Sequence, residues 1–388
     1  MRLMKVVLVM VVSACIFLLL TSYYTLLLKY LPSASSVPSS DIRIFQPDAV
    51  INTDYQDLIS NYLRTMRELN DTGSNYVKRT CVKGDLGPCV NSTCSATWPP
   101  PRERLQRLLD ASFPVLPHQR DVISAMGAQV PPADLIFLAA TSENHFEEMQ
   151  GMISDLHQVV FPWLKENTSY SYRLIVYDLG LQNTSAKSLQ TKCQCDVLQF
   201  PFSSLPEVFG QLKTFQWKPV IIKAHVSRCK LLIYADSCVR YHVSGFQHVL
   251  QRALARGLLI LHNSFMLPAH VMPPMLTYFR VDPCLLGPFY EFAGGFIMVK
   301  NEALVINKIL DFWLACAFAP DCIYPGDNWK SLRYCHTTTG YSKCHRFDQA
   351  AIGIILVSLF DRKSSSFVEA IGHVKFLRGD KVQYFPDS

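Results

Sequence analysis

The chain has 388 residues, 49% of them hydrophobic and 12% aromatic, with only 18% charged. That is too apolar for a disordered chain and too long for a disulfide mini-protein. The net charge of +6 is spread thinly, without the basic block or aromatic-basic interleaving that nucleic-acid binding requires.

Val6 to Leu28 is a run of 23 residues with no charge. At a rise of about 1.5 Å per residue it crosses a hydrocarbon core of about 30 Å. Arg2, Lys5 and the amino terminus outweigh Lys29 across the run, which orients the N-terminus to the cytoplasm. The reading is a transmembrane signal anchor over 6–28, with 1–5 as a cytoplasmic tail and the remainder in the secretory lumen. A signal peptide cleaved near Ser33-Ala34-Ser35 is the rival. Sequons at Asn70, Asn91, Asn167 and Asn183 suit a lumenal, glycosylated body. Of 13 cysteines only Cys15 lies in the run, and the 12 others are an even number that suits disulfides. Cys335-His336 and Cys344-His345 also pattern like a zinc site. Adjacent ligands point apart, however, and structural zinc pairs are roughly two to four residues apart, so disulfides are expected.

Leu31 to Ser40, rich in Ser and Pro, is a tether. Tyr55, Leu58, Ile59, Tyr62, Leu63, Met66 and Leu69 recur at helical spacing. With the Cys81–Cys94 segment they make a stem over 29–132, broken at Pro99-Pro100-Pro101 and carrying a short helix from Arg102 to Leu109. Beyond Pro132, over 133–388, buried strands alternate with helices. The strands are Leu135–Ala140, Arg173–Tyr177, Val197–Phe200, Lys230–Ala235, Leu258–Leu261, Gly295–Val299 and Val374–Leu377. Helices begin at Phe146 and Phe246, the second closing at Gly257, and a wholly apolar one runs from Ala350 to Phe360. Short apolar strands separated by helices imply an α/β fold, its largely parallel sheet covered on both faces. Ligands in such folds gather at the carboxyl ends of the strands.

Two acids stand at such ends. Asp236, in Tyr234-Ala235-Asp236-Ser237-Cys238, could hold a hard divalent cation that neutralises a diphosphate, or cap the next turn. Asp178 could meet a nucleotide's base or ribose, or make an Asx turn with Gly180. Glu291, before Gly294-Gly295, could bind sugar hydroxyls or act as a base where glycines admit a substrate, or belong to a tight turn. Asp348 opens the apolar helix as an acceptor-activating base or as a complement to the helix dipole. His373 is a candidate further metal ligand or a structural histidine. Lys218 is a candidate phosphate contact or a solvated lysine.

This motif order resembles glycosyltransferases with the A-type nucleotide-sugar fold, over about 133–380. Thr141-Ser142-Glu143 resembles the nucleotide-binding opening, Tyr234-Ala235-Asp236-Ser237 the Asp-x-Asp element, and Glu291 to Gly295 and His345 to Gln349 the acceptor side. Trp217-Lys218-Pro219, Tyr234 to Arg240 and Arg346-Phe347-Asp348-Gln349 are also similar to a nematode-expanded family of membrane-anchored proteins. The resemblance implies a mixed, mostly parallel sheet flanked by helices, a nucleotide-sugar donor, a glycan or glycoconjugate acceptor, Mn2+ or Mg2+, and a Golgi or endoplasmic reticulum membrane. The chain departs from the pattern at Cys238, where a second carboxylate is usual. Asp236 then needs another ligand such as His373, or the site works through basic residues without metal. A non-catalytic carbohydrate-binding or scaffold protein is the alternative. An S-adenosylmethionine-dependent methyltransferase ranks third, since Val176 to Gly180 resembles its first motif but the glycine-rich turn is missing.

Overall fold

The computed structural model describes residues 55–72, 89–90, 93–94, 96–326, 329–335 and 340–385. The expected anchor at 6–28, the sequon at Asn91 and the thiol of Cys81 lie outside them. Ten helices matter to the argument: α1 (Tyr55–Glu68), α2 (Pro101–Ala111), α3 (Pro117–Ala128), α4 (Phe146–Asp155), α5 (Phe161–Asn167), α6 (Asn183–Lys192), α7 (Trp217–Val226), α8 (Val243–Arg256), α9 (Leu310–Phe318) and α10 (Phe347–Phe360). Among the described residues, no helix is long and apolar enough to cross a membrane.

From residue 133 onward the strands are β1 (Ala133–Thr141), β2 (Tyr172–Asp178), β3 (Asp196–Gln199), β4 (Cys229–Ala235), β5 (Val239–Arg240), β6 (Leu258–Met266), β7 (Tyr290–Lys300), β8 (Val368–Glu369) and β9 (Lys375–Phe376). Seven of them form one sheet in the order β8-β6-β7-β4-β1-β2-β3. In it β7 runs antiparallel to both neighbours, and the other pairings are parallel. The fold is therefore a mixed, mostly parallel α/β sheet. β5 and β9 pair separately as an antiparallel ribbon.

Side chains alternate along a strand, so β1 sends Leu135, Phe137 and Ala139 to one face and Ile136, Leu138 and Ala140 to the other. α4, α5, α6 and α8 cover the first face; α7, α9 and α10 cover the second. Both faces being buried is why these strands read as unbroken apolar runs. In α10 every residue except Gln349 is buried. Gly257, at φ 81°, closes α8 in the left-handed conformation a glycine adopts without a Cβ penalty.

Two boundaries differ from expectation. β7 starts at Tyr290, because pairing with β6 continues back to Tyr290 opposite Met266, so Glu291 lies inside a strand and not in a turn before one. Packing also shows no break at 132/133. α1, α2 and α3 share one core with α7, α9 and α10, and the Tyr62 hydroxyl donates to Leu359 O.

Disulfides join Cys94 to Cys284, Cys193 to Cys195, Cys316 to Cys322 and Cys335 to Cys344. The even cysteine count does not translate into complete pairing, since Cys229 and Cys238 are buried free thiols. Cys229 is enclosed at the start of β4, its Sγ against His225 O and Val226 O. Asn70, Asn167 and Asn183 are all exposed. Under denaturing, non-reducing conditions a maleimide should label Cys229 and Cys238 and leave Cys335 and Cys344 untouched. Peptide mapping that finds quantitative label on Cys335 and Cys344 refutes their pairing.

Candidate active site

The carboxyl ends of β1, β2 and β4 share an edge with the N-terminal end of the antiparallel β7. β4 runs straight into Asp236, whose N–H donates to Gly295 O of β7 at 2.8 Å. α7 brings Lys218 to this edge in its first turn, and α10 brings Asp348. Phe347, immediately before Asp348, has φ 44°, a left-handed conformation costly for a bulky residue. That turn sets the direction of the acid that follows.

Lys218 is 2% exposed. Its Nζ donates to Gly294 O at 2.9 Å and lies 2.9 Å from Asp348 Oδ2 and 3.4 Å from Asp236 Oδ1. The rings of Phe215 and Tyr234 each stand with centroids 5.0 Å from the ammonium, a favourable cation–π distance. Tyr234 also donates its hydroxyl to Asp236 Oδ1 at 2.6 Å. Burial opposes the charge on Lys218, but Asp236 and Asp348 outweigh it and hold its pKa above the ordinary lysine value. Burial pushes the Asp348 carboxyl up to about 6 against the pull of Lys218, and Asp236 adds to the rise.

The two glycines serve this cluster. A Cβ on Gly295 would come within 2.8 Å of Asp236 Oδ2, and one on Gly294 within 3.2 Å of Asp348 Oδ2. They admit the acids against the strand, where the sequence suggested room for a substrate. Glu291 is closed off at 1% exposure. Its Oε2 accepts from Asn263 Nδ2 at 3.0 Å and Gln349 Nε2 at 2.9 Å, and its Oε1 is paired with His270. Gln349 in turn accepts from Gly294 N, so Glu291 braces the site from behind.

Asp178 makes the Asx turn. One oxygen accepts from Gly180 N and Leu181 N at 2.7 Å, the other from Gln199 Nε2 at 2.7 Å, which leaves a nucleotide little to bind. His373 does not meet Asp236's partners. It stacks on His248 at 4.1 Å and lies 3.7 Å from Glu369. Lys218, read as solvated or phosphate-binding, is instead the buried centre of the acid cluster.

A cleft of about 180 Å³ opens beside Asp236, lined by Thr141, His145, Lys213, Phe215, Cys238 and Arg378 among others. Larger hollows of about 890 and 780 Å³ lie away from the acid cluster, beside the start of β2 and between α4 and α6. The Asp236 side chain is 23% exposed and Asp348 only 4%, so Asp236 is the acid that reaches the cleft. Sequence reading missed Lys213 and Arg378. Arg378 lies on a C-terminal strap fastened across the edge. Leu377 N donates to Cys238 O at 2.8 Å, Gly379 N donates to Glu148, and Asp380 pairs with Arg240 at 3.0 Å. Further on, Tyr384 N and Phe385 N both donate to Gln150 Oε1 at 2.9 Å. These links join segments distant in the chain, and a single sequence carries no periodic signal for them.

A hard divalent cation takes several oxygen ligands. Here one Asp236 oxygen is already engaged by Tyr234 and Lys218, Cys238 offers a buried thiol, and His373 stands in another group. Among the described residues, the side chains grouped closely enough to share a metal ion are His270/Cys335/Cys344, whose two sulfurs are spent in a disulfide, and His248/Glu369/His373. Neither contains Asp236. The residues present do not fit Mn2+ or Mg2+ held by Asp236 and His373.

Lys218→Met should lower unfolding stability at neutral pH by about 3–5 kcal/mol, the cost of stripping one partner from a buried ion pair. Without the ammonium, the folded-state pKa of Asp348 rises further above its unfolded value. The variant's deficit should therefore be full at about pH 7.5 and shrink as protonation sets in toward about pH 5. Denaturant titrations across that range check it; a deficit independent of pH would place the cost in packing alone.

Residues 108–223 match a family model described as a protein of unknown function (DUF1647). No curated protein matches the chain in sequence. Among solved structures, the chain is similar to core-mannan synthase A from Aspergillus fumigatus in its Mn/GDP form, at 12% identity and a TM-score of 0.37, over 79% of this chain and 86% of that one. It is similar to mouse xyloside xylosyltransferase 1, at 14% identity and a TM-score of 0.33, over 61% and 84%. For the bifunctional glycosyltransferase WbbM the figures are 8% and 0.36, over 62% of this chain and only 39% of that one.

Proposed function

We propose that the chain is a glycosyltransferase that moves a sugar from a nucleotide-sugar donor to a glycan or glycoconjugate acceptor. The observation that carries this reading is the mix of charge lining the cleft at the strand ends, the acids Asp236 and Glu148 beside the cations Lys213 and Arg378. A cleft of about 180 Å³ is smaller than the roughly 300–1,000 Å³ usual for whole small-molecule ligands. It suits the charged middle of a nucleotide sugar, with base and acceptor reaching beyond it.

In the transfer, a bond forms from the acceptor oxygen to the donor's anomeric carbon as the bond from that carbon to the diphosphate oxygen breaks. The electron pair leaves with the diphosphate, and the acceptor's proton ends on the released diphosphate. Asp236 faces the positive charge growing on the anomeric carbon, and Lys213 and Arg378 face the negative charge growing on the leaving group. Neither Glu291 nor Asp348 is placed as the acceptor's base. The first has both oxygens engaged, and the second is buried against Lys218. Their closure also favours a second reading, a protein that binds nucleotide sugars or glycans without turnover. The methyltransferase reading loses its support because Asp178 is taken up by its own turn.

Asp236→Asn keeps the side chain's shape and leaves Lys218 paired with Asp348. Its thermal stability should stay near wild type while donor hydrolysis falls by about 10²-fold or more, the scale of losing one preorganised electrostatic contact. Hydrolysis assays over a panel of nucleotide sugars check this. Normal turnover in the variant puts the site elsewhere, and binding without turnover in the wild type establishes the second reading.

The uncharged run over 6–28 and its basic flank support a single-pass type II placement in the Golgi or endoplasmic reticulum membrane, with the C-terminal body lumenal. Alkaline carbonate should leave the protein in the membrane, and endoglycosidase should shift its mass through Asn70, Asn167 or Asn183. Release by carbonate, or a mature N-terminus near Ser35, overturns the anchor.

A further inference from the structure

The charge of Asp236 is already compensated from within the protein. Its Oδ1 is shared by the Tyr234 hydroxyl and the Lys218 ammonium, and its Oδ2 lies against Gly295, where a Cβ would come within 2.8 Å. A divalent cation arriving at this carboxylate would meet the ammonium's repulsion. Cys238 could add only a buried thiol, whereas Mn2+ and Mg2+ are held by oxygen ligands.

The cleft is instead lined by two exposed cationic side chains carried on separate elements. Lys213 lies in the short helical turn Leu212–Thr214 between β3 and α7. Arg378 lies on the strap between two fastened neighbours, Leu377 on Cys238 O and Gly379 on Glu148. Backbone pinned on both sides fixes the root of the guanidinium and reduces what ordering it on a ligand costs. A guanidinium offers a planar fork matched to phosphate oxygens, and an ammonium offers a compact point charge.

We propose that this cleft binds a nucleoside diphosphate without a divalent cation, Arg378 and Lys213 supplying the positive charge that a metal would otherwise bring. The proposal rests on the donor reading above and specifies how that donor is held. Lys218 has a part in it at one remove: by offsetting one of the two acids' charges it lessens the repulsion an incoming diphosphate would meet, and the same ammonium disfavours a cation.

The test uses the full-length chain in detergent, titrated calorimetrically with GDP and with UDP, once in EDTA and once in excess Mn2+. A parallel electron paramagnetic resonance titration uses Mn2+ alone. We expect the nucleotide that binds to do so with affinities within about threefold in the two buffers. Lys213→Ala and Arg378→Ala should each weaken binding by about tenfold or more in both buffers, the scale of a lost charge-assisted contact. Melting temperatures near wild type exclude misfolding of these exposed substitutions. Mn2+ alone should show no stoichiometric site that Asp236→Asn abolishes; a site held by His248, Glu369 and His373 would persist in that variant and leaves the proposal standing. Binding that requires Mn2+, or a stoichiometric Mn2+ site abolished by Asp236→Asn, overturns this proposal and leaves the donor reading standing. Failure of both nucleotides to bind in either buffer overturns both.

Discussion

One buried ammonium organises the functional edge of this molecule. Asp236 arrives at the end of a strand and Asp348 at the start of a helix, and side by side the two carboxylates would repel in a medium of low dielectric. Lys218 stands within ion-pair distance of both and donates to Gly294 O between them. Other local features follow from that arrangement. Gly294 and Gly295 leave room for the acids, Phe215 and Tyr234 turn their ring faces to the cation, and Phe347 accepts a left-handed backbone to aim Asp348. Glu291, through Gln349, holds the amide of Gly294 from behind.

The cluster also joins a strand end to a helix start that are distant in the chain. With both acids ionised it carries one negative charge more than positive, and with Asp348 protonated it is neutral. Burial brings that change close to neutral pH, since the Asp348 carboxyl is pushed up to about 6. The strap closes the other side of the cleft and draws its anchorage from elements far away in sequence. Arg240 pairs with Asp380 and donates to Ser237 O and Val239 O, so one guanidinium fixes both the loop after Asp236 and the strap that presents Arg378. Loop geometry and rim charge are thereby set together.

The strands and the positions of Asp236 and Asp348 were legible in sequence because each acid ends or begins an unbroken apolar run, a pattern that burial on both sheet faces demands. Other residues were misread for physical reasons. A lysine before Pro219 looks solvated, since burial of a charge is visible only once its partners, distant in the chain, are brought to it. Glu291 looked like the lip of a turn, because pairing with β6 resumes at Ala293 and Phe292 beyond a register shift at two glycines that local propensity would treat as a break. Asp178 had two equal readings, and its neighbours' amides decided for the turn. His373 looked like a spare ligand, yet helix α8 supplies His248 as its stacking partner. Arg378 had no signal at all, because its position comes from the strap's long-range fastenings.

The bland account of Asp236, an acid capping the turn that follows its strand, fails on direction. The turn is closed by Val239 N donating to the backbone oxygen of Asp236, and the side chain points the other way, to Tyr234 and Lys218. A stabilising role fares little better. Desolvating charged groups costs several kcal/mol per ion in round terms, and apolar residues of similar volume in place of buried ion pairs are often as stable or more so. Leucine or methionine at these positions would serve a purely structural edge. What such residues could not supply is a carboxylate held at fixed direction, 23% exposed beside a cleft that Lys213 and Arg378 also line, with an ammonium behind it. That arrangement separates opposite charges over a short distance. It is the electrostatic shape required by a reaction in which a carbon becomes positive as its leaving group becomes negative.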